Sequence, residues 1–261
     1  MAAYTAYSDE AGVGDPSGEF LVGGYVAPDS LWFEVSKAWQ ERVLDGPPKI
    51  PYLHMTDVRS RAWRDENKIS YNDAENRVAE AVKVLFSTGG LDAVASVMKR
   101  ADLQELFHKP HKNKKSIPAG FDEPDYVCYY VFITIMLLRI HKLHPDANQV
   151  NFVVSKNGKI TRGVRNIAEV TRQHLAQDCP ELAVLFGSVI PGDMETALPL
   201  QAADALCWHL QHYYRGEFKR TEENRMWYLL KERDGDLQVW TRDQLRAVAD
   251  EIAALPHVRS I

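Results

Sequence analysis

Short apolar runs bounded by turn residues alternate along this chain with longer stretches whose apolar positions recur every three or four residues, so strands and helices are predicted in interleaved order. Tyr4 to Ser8 reads as a short strand leading into Asp9-Glu10. Residues 11–18 gather Gly, Asp, Pro and Ser between apolar runs, so they form a hairpin loop, with Glu19 to Val26 as the returning strand. Asp29 or Ser30 caps a helix to about Leu44, whose apolar side carries Leu31, Val35, Ala38, Trp39 and Val43, and Gly46-Pro47-Pro48 stops it. An extended piece, Ile50 to His54, precedes an irregular stretch over 59–66. Asn72 or Asp73 opens a helix to about Ser87, and Leu91 to Met98 alternates as a third strand.

Beyond these lie a long buried helix (about Pro124 to Leu143), a strand (Val150 to Val154), a helix (Val164 to Gln177), a strand (Leu182 to Ile190) and a helix from Pro199. Helical pieces near 222–231 and 242–254 follow. An early hairpin succeeded by alternating helix and strand implies an α/β domain with a mixed sheet flanked by helices. The whole chain, 1–261, is expected to form one domain: a core over about 4–215, an insertion loop over about 108–121 and a helical C-terminal extension over about 216–261.

Composition narrows this picture. A hydrophobic share of 45% supports a sizeable core, and a net charge of −5 supplies no global attraction for a polyanion, so nucleic acid would need a local basic patch or metal ions. Cys128, Cys179 and Cys207 are scattered and odd in number, which suggests neither a disulfide framework nor a thiolate zinc site and fits a reducing cytoplasm. The longest apolar run, Tyr126 to Ile140, is about fifteen residues, too short to span a bilayer comfortably, so no membrane partner is expected. No pattern fixes an oligomeric state.

Two carboxylates stand out. Asp204 is set among alanines in Leu200-Gln201-Ala202-Ala203-Asp204-Ala205, without another acid between Glu195 and Glu217, and a carboxylate desolvated in such a setting needs a partner. It is either a surface residue on a polar stripe with Gln201, His212 and Arg215, or an acid presented to a second acid. Asp9, at the end of the first strand, is the natural second acid. Two carboxylates brought close repel unless a divalent cation neutralises them, and Mg²⁺ takes carboxylates, water and phosphate as ligands. The pairing points to metal-assisted phosphoryl chemistry.

Tyr7-Ser8-Asp9-Glu10-Ala11-Gly12, His54-Met55-Thr56-Asp57 and Pro199-Leu200-Gln201-Ala202-Ala203-Asp204 together resemble the bacterial DUF3800 family over roughly residues 4–215. In that family a D-E-S/A-G motif closes the first strand and an L-Q-x-A-D motif opens a late helix. The resemblance implies a ribonuclease H-like fold and a nuclease, a hydrolase dependent on Mg²⁺ or Mn²⁺. It places Asp9 and Asp204 as metal ligands, with Glu10 on the neighbouring acid as ligand or loop-orienting group. His54 falls in the family's H-x-x-D/E region, as a proton carrier or phosphate contact; the plain alternative is a histidine satisfied by capping near Thr56 and Asp57. The candidate catalytic set is therefore Asp9, Asp204, Glu10 and His54.

One position departs from the family pattern. Many relatives end the strand corresponding to Asn151-Phe152-Val153-Val154 in an aspartate, where this chain has Ser155-Lys156. Glu10, Asp57, Asp193 or Glu195 would have to supply the missing charge of a two-metal site. The rival expectations are a binding module that keeps the fold without turnover, motivated by Ser155, and a hydrolase of a small nucleotide, motivated by an overall acidity that gives no strong reason to expect a long polyanion. The basic stretch His108 to Lys115 is either a solvated loop or a contact to the phosphates of RNA or DNA through Lys109, Lys112, Lys114 and Lys115. The pairs His141/His144 and His209/His212 have helical spacing without a completing acid, so zinc is disfavoured.

Overall fold

The N-terminal hairpin forms as predicted. In a computed structural model, described for residues 2–13, 18–108, 124–156, 160–217 and 235–254, β1 (Ala2–Ala11) runs antiparallel to β2 (Glu19–Pro28), with Asp9 opposite Gly23. β3 (Asp92–Lys99) adds antiparallel to β2 and leads directly into the short helix α5 (Arg100–Leu103). On the other side of β1, β4 (Ala147–Ser155) and β5 (Phe186–Gly192) add in parallel. A sixth strand, β6 (Asp236–Trp240), pairs parallel to β3. The sheet order is β5-β4-β1-β2-β3-β6, so β1 is central and the expected α/β domain with a mixed sheet flanked by helices is observed.

Helices cover both faces because the central strands are apolar on both sides. One layer is built by α6 (Pro124–Leu143) and α7 (Ile160–Asp178), packed on Tyr4, Ala6, Phe20, Val22, Val94 and Phe152. The 18-residue stretch Tyr126–Leu143 has the length and apolar composition to cross a membrane; here 56% of it is buried, and Val127 to Ile133 are core residues. The other layer is built by α1 (Asp29–Trp39), continued by a π-helical turn over Gln40–Leu44, by α4 (Tyr71–Ser87) and by α9 (Leu198–Tyr214), packed on Leu21, Tyr25, Ala95 and Val97. The α4 N-terminus is a capping box in which Ser70 and Asp73 satisfy each other's backbone amides.

Three readings differ. The stretch 59–66 is largely helical: α2 (Met55–Arg59) is followed by α3 (Arg61–Asn67), which turns Trp63 into the core. The expected strand Leu182 to Ile190 is half helix, because Pro180 at a helix start favours α8 (Pro180–Leu185), and β5 begins only at Phe186. The described part of the extension 216–261 contains a strand as well as the helix Arg242–Ala254. The predicted helix near 222–231 and the basic stretch bearing Lys109, Lys112, Lys114 and Lys115 lie outside the described residues.

Candidate functional site

β1 and β4 are parallel neighbours, Ser8 beside Val154, and their carboxyl ends open into a cleft of about 860 Å³. The carboxyl ends of parallel strands are where open α/β sheets bind ligands. Asp9, Glu10, His54 and Asp204 all line this cleft, together with Ser155 and Lys156 from the end of β4.

Alternation along β1 sends Tyr7 and Asp9 toward the α9 layer and Ser8 and Glu10 toward α6. α9 lies close to the sheet there. Ala202, Ala203 and Ala205 are buried, and a Cβ on Gly23 would stand 3.1 Å from the Cys207 Sγ. That thiol donates to the Asp9 carbonyl oxygen at 3.2 Å, tying helix to strand. Asp9 and Asp204 are only 7% and 6% exposed.

Asp9 accepts from the Glu10 backbone and the Ser155 side chain, while Asp204 Oδ2 accepts the Met55 amide at 2.6 Å, at the start of α2. Both carboxyls are pushed up to about 7, Asp9 by burial and then by the Asp204 charge, and Asp204 by burial and then by the charge of Asp57. Glu10 takes a different partner: its Oε2 accepts from the buried Tyr129 hydroxyl of α6, whose own ionisation is pushed well up by burial and by Glu10.

His54 is the N-cap of α2, with its ring between two acids: Nδ1 lies 3.0 Å from Asp57 Oδ2 and Nε2 lies 3.7 Å from Asp204 Oδ1. Tyr52 donates its hydroxyl to the same Asp57 oxygen at 2.9 Å, and Trp63 Nε1 donates to Tyr52 at 3.1 Å. The segment bearing these groups has no strand to hold it. Gln201, fully buried one helical turn before Asp204, does so instead: its Oε1 accepts from the Leu53 amide at 3.1 Å and from Trp39 Nε1 at 2.8 Å, and its Nε2 donates to the Met194 carbonyl at 2.9 Å. The signal for Gln201 was present in the L-Q-x-A-D motif, where spacing of three puts it on the Asp204 face. At the far wall, Gln211 with its amide suitably oriented accepts from the Gly12 amide and from Arg215 Nη2, both at 3.0 Å. Gly12, at φ +85°, could not carry a Cβ, which would lie 2.1 Å from the Glu19 carbonyl oxygen.

A divalent cation suits part of this donor set. Two buried carboxylates that hold each other's charge in check are what such an ion neutralises. The set suits one ion better than two: Ser155 offers Asp9 a hydroxyl where a further acid would serve, and among the described residues no group of three or more His, Cys, Asp or Glu side chains is placed to hold a metal.

No family model matches this chain, and no curated protein matches it. Among solved structures it is similar to the ribonuclease HII of the PCNA:RNase HII complex from Archaeoglobus fulgidus, at 16% identity and a TM-score of 0.39 over 99% of this chain and 95% of that one. It is also similar to the ribonuclease H2 from Pyrococcus horikoshii OT3, at 13% identity and a TM-score of 0.38 over 97% of this chain and 100% of that one. Both likenesses are distant and transfer no residue role.

Proposed function

We propose that this chain is a ribonuclease H-like, DUF3800-type phosphodiesterase that hydrolyses nucleic acid with one divalent cation, Mg²⁺ or Mn²⁺, held by Asp9 and Asp204. The observation that carries this reading is the pair of buried carboxylates, Asp9 at the carboxyl end of β1 and Asp204 on α9 with its charge raising Asp9, both lining one cleft. Bound there, the cation would supply Lewis acidity toward a phosphate oxygen. The chain's own groups define the rest. Ser155 orients Asp9, Met55 orients Asp204, Tyr129 holds Glu10 as an auxiliary acid, and Lys156 and Arg215 are the lysine and arginine in the cleft lining that can face phosphate.

The test is cleavage of labelled single-stranded RNA, single-stranded DNA and an RNA–DNA hybrid in Mn²⁺ or Mg²⁺. Asp9→Asn and Asp204→Asn are expected to lose at least about a hundredfold in rate while keeping their fold by circular dichroism. Asparagine retains an oxygen for the Met55 amide, so the second variant removes charge without removing the helix cap. Equal rates in wild type and both variants would sink the proposal.

Ser155 favours a second reading, a binding module without turnover. It predicts carboxylate-dependent retention of nucleic acid in gel-shift assays with no product from any substrate. A panel of small nucleotides separates both from hydrolysis of a mononucleotide phosphoester.

A further inference from the structure

α9 runs across the cleft, and the lysine and the arginine of the cleft lining stand at its opposite ends. At its start Leu200 lies against β5, where a Cβ on Gly192 would be 2.8 Å from the Leu200 Cδ1. The Gly192 carbonyl accepts the Lys156 amide at 2.9 Å, so Lys156 belongs to this end. At the other end Gln211 clasps the β1–β2 hairpin, accepting from the Gly12 amide and from Arg215 Nη2, both at 3.0 Å. Asp204 lies between, on a single helix face with Trp208, Gln211 and Arg215, which follow it at spacings of four, three and four. Trp208 is a packed wall on that face: the Arg59 guanidinium lies 4.2 Å from its ring centre and the His212 ring 3.7 Å from it. Arg59 is further paired with Glu75 at 3.0 Å, which leaves the cleft's positive charge to its two ends.

The spacing of these groups exceeds one phosphate. A helical side chain leans toward the helix start, and the Arg215 guanidinium accordingly sits at Gln211, about 10 Å along the axis from the level of Asp204 at roughly 1.5 Å per residue. Leu200, which marks the Lys156 end, lies about 6 Å from that level in the other direction. Phosphates of one strand recur at about 3.4 Å along a stacked helix and more widely when the strand is extended. Resting on the metal reading above, we propose that Arg215, positioned by Gln211, binds a phosphate two or three nucleotides from the one being cleaved, and that Lys156 binds a phosphate on the opposite side of it. The cleft therefore takes a strand of several nucleotides laid along α9 and discriminates against a single nucleotide. Six acids repel such a strand everywhere else in the described lining, so the two cations set its path. Lys156 suits the task, being exposed and paired with no acid among the described residues.

The experiment uses the full chain in Mn²⁺ with single-stranded RNA and DNA from dinucleotide to octanucleotide, read as kcat/KM and as the dependence of KM on salt. Wild type is expected to gain at least about tenfold in kcat/KM over that range, mainly through KM, as charge-assisted hydrogen bonds to phosphate are added. Arg215→Ala and Lys156→Ala are each expected to remove most of the gain and to lower the slope of log KM against log salt by about 0.7, the share of one phosphate contact on a single strand. Their Mn²⁺ affinity, by titration calorimetry, is expected to be unchanged. Gln211→Ala should resemble Arg215→Ala and add nothing to it in the double variant, whereas Arg215→Lys should restore the salt slope. Equal kcat/KM for dinucleotide and octanucleotide in the wild type overturns the strand path and leaves the carboxylate site standing. A length gain and salt slope untouched by a substitution overturn the role of that residue. If no oligonucleotide is cleaved, the phosphodiesterase reading falls, and fluorescence anisotropy of the same oligonucleotides in Mn²⁺ decides the path: a slope lowered in both variants supports it, and an unchanged slope overturns it as well.

Discussion

Asp9 and Asp204 make the metal-free protein sensitive to alkali. A carboxyl whose pKa is higher in the folded chain than in the unfolded one keeps its proton better when folded, so its stabilising effect is complete below about pH 4 and is lost as pH rises through about 7. His209 acts with the opposite sign over much of the same range: burial lowers it to about 4, so its neutral form favours the fold as pH rises. Comparing wild type with Asp9→Asn isolates the acid. In chelator, the variant is expected to match wild type near pH 4 and to exceed it by pH 8, on the order of 1–2 kcal/mol, or roughly 3–6 °C in melting temperature. A constant offset across that range would contradict the buried pair.

At the scale of elements, α9 organises the site by holding a segment that belongs to no sheet. Gln201→Leu would leave the Leu53 amide and the Trp39 indole without their acceptor, at roughly 1–3 kcal/mol for each buried donor. Urea denaturation should register the loss, and amide exchange should accelerate selectively around residues 52–57. Gly23→Val tests the close approach of α9. Its branched side chain would meet Cys207 and is expected to cost about 1–3 kcal/mol through overpacking.

The regular elements most legible in the sequence were those with a long continuous apolar run, such as α6, or with turn chemistry between two apolar runs, such as the β1–β2 hairpin. Those least legible were short. The run 182–190 carries apolar residues compatible with either period, and Pro180 decides its first half. β6 is five residues long and gains its strand form from β3, a partner more than a hundred positions away.

At the scale of the whole molecule, with a net charge of −5, the described cleft is charged against unaided binding of a polyanion. Among the described residues the cleft is lined by six acids, Asp9, Glu10, Asp57, Asp193, Glu195 and Asp204, and by one lysine and one arginine, Lys156 and Arg215. A fluorescent single-stranded RNA should therefore bind in Mn²⁺ and not in chelator, and Arg215→Ala should weaken the Mn²⁺ complex; equal binding in chelator would show that the cleft is not the contact surface. The local sequence made Asp9 and Asp204 visible as candidates because each is an acid where an acid is costly. The His54–Asp57 pairing was legible as the capping alternative, but the Trp63 end of the Trp63–Tyr52–Asp57–His54 chain was not, because that contact depends on how α3 folds back over residues 52–57. Gln201 belongs to the motif, but its three partners lie in three separate places, the end of α1, residues 50–54 and the turn before α9.

One oxygen of Asp204 is already occupied. Because one lone pair of Oδ2 accepts the Met55 amide, Oδ1 is the freer oxygen, and in the proposed site Asp204 would be a single-toothed ligand. A shell built from such ligands would leave positions that water holds until a phosphate oxygen displaces it. Ion and phosphate would then each raise the other's affinity by the same factor, a cooperativity that binding measurements can read in either direction.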